Sequence, residues 1–184
     1  IQGKLVAQDA NDEPAEVLYA KIQAEKQKLI KEGKIKKDKP LPSITDDEIP
    51  FTIPSTWKWV RLGDIVKYTM GKTPSRNDYE MWGEGYPWVS IADLIDGKTI
   101  YSTKEQVSEK SCKEVFKGNI IPAGTLLMSF KLTIGKVSIL GFDGFHNEAI
   151  ISIFPHINTE KITTMYLFKL LPYLTFFSTE TKTA

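Results

Sequence analysis

Cysteine occurs once in 184 residues and histidine twice. Cys112 therefore has no partner for an intrachain disulfide, and with only His146 and His156 beside it a structural metal site is all but excluded. No apolar run approaches the roughly 18 residues of a membrane span, and no signal peptide is legible. Charge of one sign is missing too. Twenty-four Lys and Arg against 23 Asp and Glu leave +1, so bulk charge alone cannot hold this chain to nucleic acid. Any DNA contact must come from local patches. The chain opens on Ile1 rather than Met, and reads as a soluble, cytoplasmic piece of something longer.

Catalytic signatures are also scarce. Gly71-Lys-Thr73 and Gly97-Lys-Thr99 look like the end of a phosphate-binding loop. Each needs a turn glycine five residues earlier, where Val66 and Ala92 stand instead. Both read as ordinary turns. There is no GxGxxG, no GxSxG and no HExxH. Glu32-Gly-Lys34 and Glu180-Thr-Lys182 mimic part of a nuclease carboxylate–lysine motif, but neither has a preceding Pro-Asp. The glycines and the Asn-Pro-Pro-aromatic or Pro-Cys pair of a DNA methyltransferase are absent. A binding role without a catalytic residue or a metal is the expectation.

What is present is globular: 41% hydrophobic and 26% charged residues, enough to bury a core without staples. Residues 13–32 predict a helix, with Asp12 or Glu13 accepting from its first N–H groups, Pro14 in its first turn and Gly33 as its stop. Its apolar stripe of Val17, Leu18, Ile22, Leu29 and Ile30 is narrow, which suggests a helix lying on a partner surface or half exposed. Residues 34–56 read as an extended linker, with basic Lys34–Lys39, acidic Asp46–Glu48, and Pro40, Pro42, Pro50 and Pro54 against regular structure.

The domain proper is expected over 57–184. Trp59–Leu62 alternates like a strand, turning at Gly63-Asp64 into Ile65–Met70. Residues 72–86 form a long loop and Tyr86–Ile91 a strand. Glu105–Phe116 reads as a short polar helix or irregular turn. A β-rich stretch from 119 to 154 holds strands at Thr125–Phe130, Lys136–Leu140 and His146–Phe154, separated by glycine turns. Residues 159–172 predict a core helix stopped by Pro172. The last twelve residues show no end to the fold. The order of helix, linker, strands with short helices, meander and helix gives an α+β class.

Two loops combine cations with hydrogen-bonding side chains. In Met70–Asn77, Arg76 could fork onto a guanine edge and Asn77 onto adenine, while Lys72, Thr73 and Ser75 could grip phosphates. A second basic, hydroxyl-bearing stretch runs over Ser129–Lys136 and offers Ser129, Lys131, Thr133 and Lys136. Taken alone, each is also what a polar surface loop looks like. Trp57, Trp59, Trp82, Trp88, Tyr79 and Tyr86 invite a base-stacking reading, but packing is the plainer one, with Trp82 and Trp88 holding the first loop rigid.

These residues carry a resemblance. Ile53-Pro-Ser-Thr-Trp-Lys-Trp-Val-Arg-Leu-Gly-Asp64 is similar to the opening of a target recognition domain in the specificity subunit (HsdS) of type I restriction–modification enzymes. Gly71-Lys-Thr-Pro-Ser75, Tyr79-Glu-Met-Trp-Gly83, Pro87-Trp-Val-Ser90, Ile121-Pro-Ala-Gly-Thr125 and Thr133-Ile-Gly-Lys-Val137 follow in that family's order. Ala24–Pro40 resembles the lead into the second recognition domain, and Ile1–Leu5 the end of the helical spacer before it.

The resemblance implies one recognition domain with a mixed or antiparallel β meander, preceded by residues 1–33 of spacer and helix and the 34–56 linker. It ends before the second long helix. It implies sequence-specific reading of one half of a bipartite double-stranded DNA target, with no catalysis in this chain. Modification subunits would supply S-adenosylmethionine chemistry, and a motor and endonuclease subunit ATP and Mg. Two other readings stay open. One is the recognition domain of a fused restriction–methylation enzyme. The other is a protein-interaction module, docking through the 13–32 helix and touching no DNA.

Overall fold

The computed structural model describes residues 2–131 and 133–180, with side chains as far as Leu174. Ile1, Leu132 and residues 181–184 fall outside it, so the start of the expected spacer, one position of the second loop and the end of the chain are outside the described residues. Two compact units emerge: residues up to Lys67 with Pro155–Thr163, and Tyr68–Phe154 with the chain from Thr164 onward.

In the first unit, α1 spans Ala15–Lys31. Its end follows from Gly33, whose φ of +70° is open to glycine at no steric cost. Gly33 N–H donates to Ile30 O and Lys34 N–H to Leu29 O, a Schellman closure. The start differs from expectation. Pro14 is the N-cap, and no side chain caps it. Thr56 O takes the Ala15 N–H at 2.9 Å instead, while Glu13 pairs with Lys21.

Helix α1 is half exposed. It packs on α2, the four residues Leu62–Ile65. So short a helix leaves its carbonyls open, and α1 fills them. Lys26 Nζ donates to Gly63 O at 3.0 Å and Gln23 Nε2 to Asp64 O at 2.9 Å. Ile22 is buried, though Val17 and Leu18 stay exposed.

The linker is irregular except for one turn at Asp46–Glu48, and Arg61 gathers it. The guanidinium forks onto Glu48 at 2.5 and 2.6 Å and donates to Pro42 O and Ser43 O at 3.0 and 2.9 Å. The fork from Arg61, with the bonds from Thr45, pulls the Glu48 carboxyl down to about 2. The expected strand at Trp59–Leu62 is absent. The chain there has no regular structure, is extended at Arg61 and then turns helical, and Trp59 packs edge-on against Phe51 at 5.2 Å.

The chain carries two sheets. Strands β1 (Val66–Met70), β3 (Lys98–Ile100), β5 (Leu126–Ser129), β6 (Val137–Leu140) and β8 (Ile150–Pro155) build one, in the order β1-β8-β5-β6-β3. Within it β5 runs antiparallel to β6 and β8, and β3 parallel to β6. Strands β2 (Trp82–Val89), β4 (Glu105–Val107) and β7 (Phe145–His146) build the other, in the order β4-β2-β7. Both parallel and antiparallel pairs occur, so the fold is α+β with mixed sheets.

Val89, Leu94, Ile100, Leu127, Leu140 and Ile150 form one apolar core, and Trp88, Val107, Cys112, Phe116 and Phe145 a second. The stretch 105–116 resolves into β4 and α3 (Glu109–Glu114), which Ser108 caps through the Ser111 N–H. Strand β3 carried no legible signal. Pro172 does not stop the last helix, α4, which runs Ile162–Glu180 straight through it. Proline removes one bond of the ladder, and the buried residues Leu167, Phe168 and Leu171 hold the preceding turns in place.

Candidate nucleic-acid interface

The site grows from a short segment, 146–149, which runs from the last residue of β7 to the start of β8. His146 is 1% exposed. Its Nδ1 lies 3.1 Å from Asn147 O, which can only accept, so Nδ1 carries the proton. Nε2 then accepts from Ser152 Oγ–H at 2.5 Å. Burial pushes the imidazole down to about 4, so it is neutral near pH 7 and both bonds are satisfied. Asn147 N–H donates to Val89 O, and Asn147 Oδ1 accepts from Ala149 N–H at 3.1 Å.

Both predicted loops anchor on this segment. Lys72 N–H donates to His146 O at 2.9 Å, and Phe130 N–H to Ala149 O at 3.0 Å. The first anchor requires glycine at 71 for space. A Cβ there would stand 2.0 Å from His146 O and 2.3 Å from Asn147 O. Thr73 Oγ1 donates to Glu148, and the charge of Lys131 acts on the same carboxylate. The loops at 72–77 and 129–136 thus flank one segment and share Glu148.

Two tryptophans hold the first loop. Trp88, buried, donates its indole N–H to Lys72 O at 3.0 Å, and Trp82 donates its own to Ser75 O at 3.0 Å. Their rings meet edge to face at 5.1 Å. The expectation that these rings stiffen the loop rather than stack bases agrees with these bonds. Arg76 lies on Trp82 with its guanidinium 3.7 Å from the ring centre. Both its terminal nitrogens donate to Glu105, one at 3.0 Å. That fork holds the Glu105 carboxyl below its usual range. Lys72 Nζ donates to Val115 O at 2.9 Å. Ser75 and Asn77 are exposed.

In the second loop Ser129 does not face outward as expected. Ser129 is fully buried. Its Oγ donates to Thr133 O and accepts the Lys136 N–H at 3.1 Å, while Gly135 N–H donates to Ser129 O. Ser129 staples the turn from within and offers DNA nothing. Lys131 and Thr133 are exposed and Lys136 is half-buried. The carboxylates Glu105 and Glu148 went unseen in the sequence, since each meets its partner across 29 and 75 residues.

Residues 54–184 match the family described as type I restriction modification DNA specificity domain. The chain belongs to that family. It is 47% identical over 90 residues, 45% of its length, to the EcoEI type I restriction enzyme specificity subunit of Escherichia coli, and 56% identical over 71 residues, 39% of its length, to the EcoAI specificity subunit of the same organism. It spans 15% and 12% of those two proteins. A chain from a solved structure on complex assembly and conformational transition of the type I R-M system matches 87% of this chain, over 37% of its own length, at 20% identity and a TM-score of 0.50. That likeness bears on the fold.

Proposed function

We propose that this chain recognises base sequence in one half of a bipartite double-stranded DNA target, as part of the specificity subunit of a type I restriction–modification complex. The carrying observation is that two cation-bearing loops anchor on the single segment 146–149. Family membership supports the same reading, and the named relatives are specificity subunits. Lys131 and Lys72 suit phosphates, and Arg76 suits a guanine edge once its fork exchanges Glu105 for the base. The chain's part is recognition without chemistry. S-adenosylmethionine would sit on modification subunits, and ATP with Mg on a motor and endonuclease subunit, in the cytoplasm where the DNA is. At net charge +1 a lone domain binds weakly, and tethering two domains to one DNA supplies the affinity.

The test is duplex binding by the full-length subunit assembled with its modification subunits. Arg76→Ala should relax preference at one base pair by about 1–3 kcal/mol. Lys131→Ala should weaken all sequences alike and lower the salt slope by about one unit. No change in affinity, slope or preference for either variant would remove these loops from the DNA face.

A further inference from the structure

Glu148 is out of place on a phosphate-binding face. An exposed carboxylate there repels the backbone, and it stands at a point both loops share. Its support is unusually complete. Thr73 Oγ1 donates to it, as does its own backbone N–H, and Lys131 adds a favourable charge. The neighbouring backbone is held from four sides, by Val89 O, Lys72 N–H, Phe130 N–H and the Asn147 side chain. Two residues earlier, His146 is buried and bonded to the buried Ser152. Two donors occupy two of the roughly four acceptor positions of a carboxylate. The carboxylate is exposed and ionised, and its remaining positions are left for a ligand that donates.

In the DNA major groove the donors are the exocyclic amines of cytosine and adenine. Adenine N6 sits between two acceptors, its own N7 and the O4 of the paired thymine. Cytosine N4 has an acceptor on one side alone, the O6 of the paired guanine. A carboxylate approaching adenine therefore meets lone pairs on both flanks, and one approaching cytosine on a single flank. We propose that Glu148, positioned by Thr73 between the two loops, is a specificity residue that accepts a hydrogen bond from cytosine N4. This rests on the DNA-recognition reading above.

A base-reading Glu148 and a purely structural one differ in the sign of two effects. Glu148→Ala removes a repulsive charge as well as an acceptor. Binding to unrelated duplex should then tighten while preference at one C·G pair falls about tenfold. Glu148→Gln keeps the shape but adds a donor, and a carboxamide matches the N6 and N7 of adenine. Preference at that pair should move from C toward A. A strut between loops would instead weaken every sequence alike when removed.

The experiment is selection from a randomised duplex library by the assembled enzyme, wild type against both variants, followed by competition binding at two salt concentrations. The expected result is a wild-type profile with one C·G position lost in Glu148→Ala and shifted to A in Glu148→Gln. Wild-type preference left intact in both variants, or a uniform loss across all sequences, overturns the role of Glu148 and leaves DNA recognition standing. A wild-type enzyme with no sequence preference overturns the reading beneath it.

Discussion

The guanidinium of Arg76 lies over Trp82, 3.7 Å from the ring centre of an indole whose own N–H is spent on Ser75 O. One ring therefore both holds the backbone of the loop and seats its arginine. Glu105 completes the arrangement by occupying the fork. Both charged side chains are about half exposed, at 52% and 40%, so water and salt screen the pair. A double-mutant cycle on Arg76 and Glu105, read by urea denaturation, should give a coupling of about 1 kcal/mol or less, shrinking as salt rises.

Gly71 should tolerate nothing larger. The Cβ of Gly71→Ala would lie within 2.3 Å of two backbone oxygens and His146 Nδ1, none of which can step aside cheaply. A loss of about 2–4 kcal/mol is expected in chemical denaturation, together with weaker DNA binding as the loop leaves its anchor.

Trp88→Phe keeps most of the apolar volume and deletes one donor. Lys72 O then loses its indole partner, at a cost of about 1–2 kcal/mol. Amide exchange at Lys72 and its neighbours should quicken more than the global stability change accounts for. Equal slowing or quickening across the whole domain would place the effect in the core instead.

Acid should weaken the fold through His146. Its pKa falls from an ordinary 6.5 to about 4 in the folded chain, so between those values the unfolded state binds the extra proton. Stability is fully present above about pH 6.5 and declines as pH drops toward 4, by up to about 1.4 kcal/mol per unit and on the order of 3 kcal/mol in all. His146→Gln should be less stable near pH 7 yet show a flatter profile over that window. A wild-type profile already flat there would contradict the buried neutral imidazole.

Much of the fold was legible because it rests on local rules. Gly33 closing α1, the glycine turns separating β5, β6 and β8, and the α+β order all depend on conformational freedom and on alternation over a few residues. Local rules misled where tertiary contacts outweighed them. Trp59–Leu62 alternates, yet the strand needs a neighbour that the topology never brings. Pro172 breaks one bond, yet the helix goes on because Leu167, Phe168 and Leu171 are buried.

The two loops, and the cations on them, were set by the sequence itself, since residue type and glycine spacing decide which segments can leave a sheet carrying Lys72, Arg76 and Lys131. The choice of which side chains face outward belonged to the tertiary structure. Ser129 and Thr73 are both hydroxyls in loop stretches. One is sealed under its turn by Thr133 and Lys136, while the other reaches Glu148. Glu148 and Glu105 entered the site through pairings 75 and 29 residues long. Hydrogen bonds at such separations depend on how sheets bring the chain back on itself, and no pattern read along a few neighbouring residues contains that information.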